Sequence, residues 1–170
     1  MSNPKPSVAQ GGTEVSRVEL NTKGRYAVMA MADLAKHGVG AAVPLSAIAE
    51  RQKLSVAYLE QIFLMLRRSG LVESERGRSG GYRLGRPACH IAVAAILTAV
   101  DEETRMTRCS DGAPGGCVGH EPCLTHGLWH ALGGHIEWFL ASVSLQEVLD
   151  GIPPEKRKPS KTVNKVMAAQ

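Results

Sequence analysis

The sequence predicts a mainly α-helical fold with one small β-hairpin and one long helix towards its C-terminal end. Three observations predict it. Apolar residues recur at helical spacing through most of the chain between residues 22 and 150. A single glycine-rich turn at 77–81 separates two short runs of strand character. Residues 122–143 then carry a wide apolar stripe for about six turns.

The 170 residues allow one compact domain with appendages. Aromatic residues make up only 4%, so the core must be largely aliphatic. Charge is unevenly divided. Residues 1–100 hold 13 Lys and Arg against 7 Asp and Glu, residues 101–152 hold 2 against 8, and residues 153–170 hold 5 against 1. A basic front half suits a polyanion, although a solvated basic face would have the same composition. The N-terminal stretch has no apolar signal core, and no run reaches the ~18 apolar residues of a membrane span. The chain is therefore expected to be cytoplasmic and without a membrane partner. In that compartment clustered cysteines point to metal or redox chemistry rather than to disulfides.

Residues 1–20 have little periodicity and are expected to form a disordered arm. A helix begins after Asn21 or Thr22, with Ala27, Ala30, Met31 and Leu34 on one face and Gly38 and Gly40 as its stop. A short helix follows over 45–52. Ser55 caps a third helix over 56–69, and Gly70 ends it. In that helix Leu59, Ile62, Phe63 and Leu66 should point inward, leaving Ala57, Glu60, Gln61, Leu64 and Arg68 on the outer face. A short helix, a tight turn and a helix with a polar face read as a helix-turn-helix. Residues 71–76 and 82–84 then form a hairpin, which completes a winged helix. The wing carries Arg76, Arg78 and Arg83, with Arg86 just beyond. Arginines on a glycine-rich tip can reach phosphates or enter a narrow minor groove.

An apolar helix over 91–100 should pack on this body. Cys89, just before it, is expected to be a small buried hydrophobe. The stripe over 122–143 contains Leu124, Leu128, Leu132, His135, Phe139 and Val143, widened by Trp129, Ile136 and Leu140. It is too long to be covered by a winged helix, so burial against a second copy is expected. Gly133 and Gly134 suggest close approach of another helix. Ser144 and Glu147 form a capping box for a last short helix that stops at Gly151. The expected organisation is arm 1–20, winged helix 21–101, ligand loop 102–121, dimerisation and short C-terminal helices 122–151, and a disordered basic tail 152–170.

Between the wing and the long helix lie Cys109, Cys117, Cys123 and His126. Cys123 and His126 are three residues apart at a helix start, so both can reach one metal centre. The two earlier cysteines sit on loop backbone that can fold over to complete a Cys₃His set. Such a set suits a [2Fe–2S] cluster. It also suits zinc, although gaps of seven and five residues are not the usual zinc knuckles. His120, His130 and His135 are alternative ligands, and plain thiols are a third reading. No nucleophile, base and oxyanion arrangement is evident, so the chain is not expected to be an enzyme.

These residues carry a family resemblance. TKGRYAV at 22–28, PL at 44–45, YLEQ at 58–61, Arg67, GLV at 70–72, GGY at 80–82 and AVDE at 99–102 match in order. TRC at 107–109, GGC at 115–117, CLTH at 123–126 and LW at 128–129 are the most diagnostic. Over about residues 20–149 the chain resembles the IscR-type iron–sulfur cluster regulators, bacterial winged-helix transcription factors. The resemblance implies a homodimer with a [2Fe–2S] cluster on Cys109, Cys117, Cys123 and His126 in each subunit, supplied by the iron–sulfur assembly machinery. It implies operator DNA contacts from Tyr58, Glu60 and Gln61 at the recognition-helix start and from the wing at Arg76. It implies repression of cluster-assembly genes when clusters are abundant, with Glu60 discriminating two kinds of operator.

The chain departs from the family pattern at four places. The first cysteine gap is longer, Ala57 replaces a usual serine, Arg78-Ser79 replaces Pro-Gly in the wing, and the N-terminal arm is extra. A nitric-oxide or redox sensor on the same scaffold is the alternative. His126 counts against it, because related nitric-oxide sensors lack that histidine. A zinc-stabilised winged-helix DNA-binding protein is a further alternative.

Overall fold

A computed structural model of the chain describes residues 22–77, 80–102 and 123–157. In order these form α1 (Thr22–His37), α2 (Leu45–Gln52), α3 (Val56–Arg68), β1 (Val72–Glu75), β2 (Gly81–Leu84), a one-turn 3₁₀ helix (Ala88–His90), α4 (Val93–Ala99), α5 (His126–Ser142), α6 (Leu145–Asp150) and α7 (Pro154–Arg157). The arm 1–20 and the loop positions 103–122 lie outside the described residues.

The core sits between α1, α2, α3 and α4. Ala27, Ala30, Met31 and Leu34 of α1 meet Ile48 of α2, Leu59, Ile62, Phe63 and Leu66 of α3, and Ile96 of α4. The expected aliphatic character holds: Phe63 is the one aromatic among the largest fully buried side chains. Its ring meets Tyr82 of β2 edge-on, with centroids 4.8 Å apart. This contact seats the wing on the recognition-helix core.

Local signals set the helix ends. The Ser55 hydroxyl accepts from the Tyr58 amide at 3.2 Å and caps α3. At the other end the Gly70 amide donates to the Arg67 carbonyl and the Leu71 amide to the Leu66 carbonyl. That pairing is a Schellman closure, and it needs the left-handed backbone that Gly70 supplies at φ +68°. Ser144 and Glu147 form the reciprocal box that opens α6.

Several expectations are corrected. Strand β1 covers Val72–Glu75 and not the whole of 71–76, with Val72 buried and the next three residues exposed. After Val72 strand β1 turns its side chains to solvent, and the ribbon rests on the core through Tyr82 and Leu84 of β2. Helix α4 starts at Val93 rather than at residue 91, because residues 91–93 pair with a later segment. The Leu145 amide donates to the Ile91 carbonyl at 2.7 Å, and the Val93 amide to the Val143 carbonyl at 2.9 Å. Cys89 is exposed, not buried. It lies on the 3₁₀ turn after Pro87, and Ile91 takes the core position instead.

Helix α5 begins at His126, so Cys123 precedes it and is not on the helix. Gly133 and Gly134 have no described residue within 4 Å of an added Cβ. Helix α6, expected to belong with α5, returns to the winged-helix core and buries Leu145 completely. The expected tail gains structure at its start. Lys156 on α7 donates to the Ser142 carbonyl and to the Glu147 carboxylate, both at 2.5 Å.

One polar clamp lies inside the body. The Asp33 side chain, 2% exposed, accepts from the Arg51 guanidinium at 2.5 and 3.0 Å and from the Gln52 amide at 2.7 Å. Burial pushes the Asp33 carboxyl up, but the hydrogen bonds from Arg51 and Gln52 and the charge of Arg51 outweigh it and hold it below its ordinary value. At the surface, Lys156 and the Ser144 cap bring Glu147 down to about 2.

Two tests follow from these contacts. Arg51→Ala leaves the buried carboxylate without its charged partner and is expected to cost about 3 kcal/mol in urea unfolding. Asp33 and Glu147 both have folded pKa values below their unfolded ones. Their stabilisation is therefore present above the ordinary carboxylate range and is lost as pH falls through their folded values. Urea midpoints measured from pH 6 down to pH 2 should fall progressively below about pH 4.5, and Glu147→Gln should flatten part of that fall.

Candidate nucleic-acid interface and metal centre

The turn between α2 and α3 is only three residues long. Lys53 takes left-handed backbone at φ 57°, and the Leu54 amide reaches back to the Ala49 carbonyl at 3.0 Å. Inward residues on α3 are fully buried, which turns the opposite face out. Ala57, Glu60, Gln61, Leu64, Arg67 and Arg68 are exposed on it. Tyr58 is half-buried. Its ring meets Tyr26 of α1 edge-on at 6.0 Å and 87°, so α1 braces the first turn of α3.

The wing is held at a point that the sequence reading missed. Val43, from the link between α1 and α2, exchanges both backbone hydrogen bonds with Tyr82 at 2.9 Å. A single bridged residue leaves no periodic signal, so only the folded backbone reveals it. Gly81 makes this approach possible: a Cβ there would lie 2.4 Å from the Val43 carbonyl. Beyond this anchor Arg76 is exposed at the end of β1. Arg83 is committed to Glu75 by an ion pair within the ribbon. Arg78 lies outside the described residues.

Of the four expected metal ligands, Cys109 and Cys117 lie outside the described residues. Cys123 and His126 are brought together, though by a turn and not by a helix face. The His126 amide donates to the Cys123 carbonyl at 2.9 Å, closing the turn that leads into α5. Both side chains are half-exposed. His126 stacks on His130 one turn later, ring centroids 6.1 Å apart and 16° from parallel. Among the described residues no group of three or more Cys, His, Asp or Glu side chains could hold a metal ion. The turn therefore offers two donors, a sulfur and an imidazole nitrogen, and needs others from elsewhere to complete a site. That donor pair fits a thiophilic metal or an iron–sulfur cluster and is a poor match for calcium or magnesium.

Helix α5 carries an uncovered apolar surface. None of its 17 residues is buried, and Leu128 and Trp138 are 61% and 60% exposed. Among the described residues its C-terminal part packs on the body, through Phe139 and Leu140 against Val93 and Leu97 of α4. No helix among the described residues is long and apolar enough to cross a membrane.

Comparison with known proteins agrees with this geometry. Residues 20–151 match the model of Rrf2, described as an iron-dependent transcriptional regulator. The chain is 50% identical over 133 residues to the HTH-type transcriptional regulator IscR of Photorhabdus laumondii, covering 78% of this chain and 80% of that one. It is 51% identical over 132 residues to the protein of the same name from Xenorhabdus nematophila, covering 78% and 79%. Among solved structures it superposes on T. potens IscR with a TM-score of 0.66 at 34% identity, covering 86% of this chain and 96% of that one. On CymR, the global cysteine regulator of B. subtilis, the TM-score is 0.68 at 30% identity, covering 81% and 100%. The fold is thus a winged helix with a small antiparallel ribbon, and the named relatives are transcriptional regulators, not enzymes.

The Gly81 contact gives a direct test of the wing anchor. Gly81→Ala is expected to force the ribbon away from Val43 at a cost of about 2 kcal/mol. Thermal unfolding measures the cost, and hydrogen exchange should show lost protection at the Val43 and Tyr82 amides.

Proposed function

The chain belongs to the Rrf2 family of transcriptional regulators, and from that premise we propose that it is a cytoplasmic, homodimeric repressor that senses iron–sulfur cluster status. The observation that carries the reading is the Cys123–His126 turn. A sulfur and an imidazole there, at the N-terminal end of α5, support the reading, because the apolar surface of that helix is left exposed by the other described residues. Cys109 and Cys117 complete the donor set for a [2Fe–2S] cluster, which the iron–sulfur assembly machinery would supply. When bound, the cluster provides a redox-active, oxygen-labile group whose presence depends on cluster supply.

The protein's own residues do the rest. The α5 surface of Leu128, Trp129, Leu132 and Trp138 pairs with a second copy, which sets two recognition helices for a two-fold symmetric operator. Ala57, Tyr58, Glu60 and Gln61 lie at the start of α3, where a recognition helix meets base edges. The Glu60 carboxylate can accept from cytosine N4 and repels most other groups in the groove, so its orientation selects among operators. Arg76 and Arg78 on the wing reach phosphates or the minor groove. The N-terminal half of α5 touches no other described helix, and its C-terminal half rests on α4. Fixing the ligand turn therefore biases α4 and, through the core, α3.

Iron and acid-labile sulfide analysis of protein purified without air tests the reading. Two irons and two sulfides per subunit are expected; a colourless protein holding stoichiometric zinc would overturn it. DNA binding supplies a second check. Arg76→Ala should weaken binding about tenfold on all duplexes and reduce the salt slope by about one. Gln61→Ala should weaken it about tenfold at the operator and relax base preference.

A further inference from the structure

Thr125 is the N-cap residue of α5, yet its side chain makes no capping bond. A threonine there ordinarily accepts from an amide in the first turn. Here the hydroxyl is used differently. The indole Nε1–H of Trp129 donates to Thr125 Oγ1 at 3.1 Å. The same oxygen lies 3.5 Å from the sulfur of Cys123. An indole N–H can only donate, so the hydroxyl is the acceptor in the first contact and its own proton is free for the second. A metal-bound thiolate can only accept. The direction of the chain is therefore fixed once Cys123 is a ligand: indole to hydroxyl to sulfur.

We propose that Thr125 and Trp129 form a relay that donates a hydrogen bond to the Cys123 ligand sulfur and raises the reduction potential of the bound cluster. The inference rests on the cluster reading above and assigns two residues to it that are not ligands. Its physical basis is simple. Reduction adds one electron, and part of that charge resides on the ligand sulfurs. A donor aimed at such a sulfur stabilises the reduced form more than the oxidised form. Trp129 acts one step back, by holding the hydroxyl in the rotamer that points its proton at sulfur. Both residues are positioning residues, and Trp129 is also on the apolar surface of α5, 38% exposed in the single chain. A partner laid against that surface would dry the relay and strengthen it.

The test uses the full chain, with and without its cluster. In anaerobic dye-mediated titration of the loaded protein, Thr125→Val should lower the reduction equilibrium constant about tenfold, or about 59 mV for a one-electron couple. Thr125→Ser keeps the hydroxyl and should restore the wild-type potential. Trp129→Phe removes the donor that orients it and should shift the potential the same way by a smaller amount. The cluster-free protein gives an independent readout. Its two tryptophans should give two indole N–H signals, and Thr125→Val should move one and leave the other. An unmoved potential in a loaded Thr125→Val protein, or serine behaving like valine, overturns the relay. So does an unmoved indole signal. If Thr125→Val fails to load, the indole signal and Trp129→Phe decide. A wild-type chain that takes up no iron and sulfide overturns the cluster reading itself, and the relay with it.

Discussion

The return of the chain at residues 143–145 is the contact on which the rest depends. Two backbone hydrogen bonds, Leu145 to Ile91 and Val93 to Val143, stitch the end of α5 to the start of α4. Leu145 is fully buried behind them in the main core. The second small cluster of Val93, Leu97 and Val143 seals the same junction. The C-terminal end of α5 is thereby rooted in the winged-helix body. At 1.5 Å per residue the 17-residue helix is roughly 25 Å long. A rod of that length, clamped among the described residues at its C-terminal end, would turn a restraint at its tip into a torque at its root. The root is α4, which packs on α1 and α3.

A second set of constraints keeps the winged body rigid enough to receive that torque. The Asp33 carboxylate ties α1 to both Arg51 and Gln52 at the end of α2. Immediately after them Lys53 makes the tight turn into α3. The clamp therefore fixes where the recognition helix begins, and Tyr26 against Tyr58 braces the same point from the other side. The wing is held independently, by Val43 on Tyr82 and by Tyr82 on Phe63. Fixing both parts of a binding surface before a partner arrives lowers the ordering entropy that binding must offset.

Much of this was legible in the sequence, and the division follows physical range. Ser55, Gly70 and the Ser144–Glu147 box are signals read within four residues, and each behaves as expected. The buried and exposed faces of α3 follow from a 3.6-residue period alone. What the sequence hid is non-local or singular. A one-residue bridge at Val43 has no periodicity, and the Leu145 return depends on a partner more than 50 residues away. Cys89 is small and apolar enough to suggest burial, but it lies exposed on the 3₁₀ turn and Ile91 two residues later enters the core. At the candidate site Cys123 and His126 are joined by a backbone turn and not by a helix face. Thr125 was hidden because a threonine before a helix already has an ordinary explanation as a cap. Cys109, Cys117 and Arg78 remain proposals from sequence.

Charge placement adds a last step. The front half of the chain is basic by 6 and the segment 101–152 is acidic by 6. A duplex therefore attracts the winged body and repels the segment that carries the ligand residues and α5, which orients the molecule before any side chain touches a base. The front-half surplus overstates what is available for phosphates, however. Arg51 is committed to Asp33 and Arg83 to Glu75. Counterion release counts only the charges that reach phosphates. Arg76 on the wing, with Arg67 and Arg68 on α3 and Arg86 after β2, are exposed charges of the body that remain for the task. Two chains joined through α5 would double the number of these charges on one operator, so the apolar surface of α5 and the affinity for DNA would be linked through the same helix.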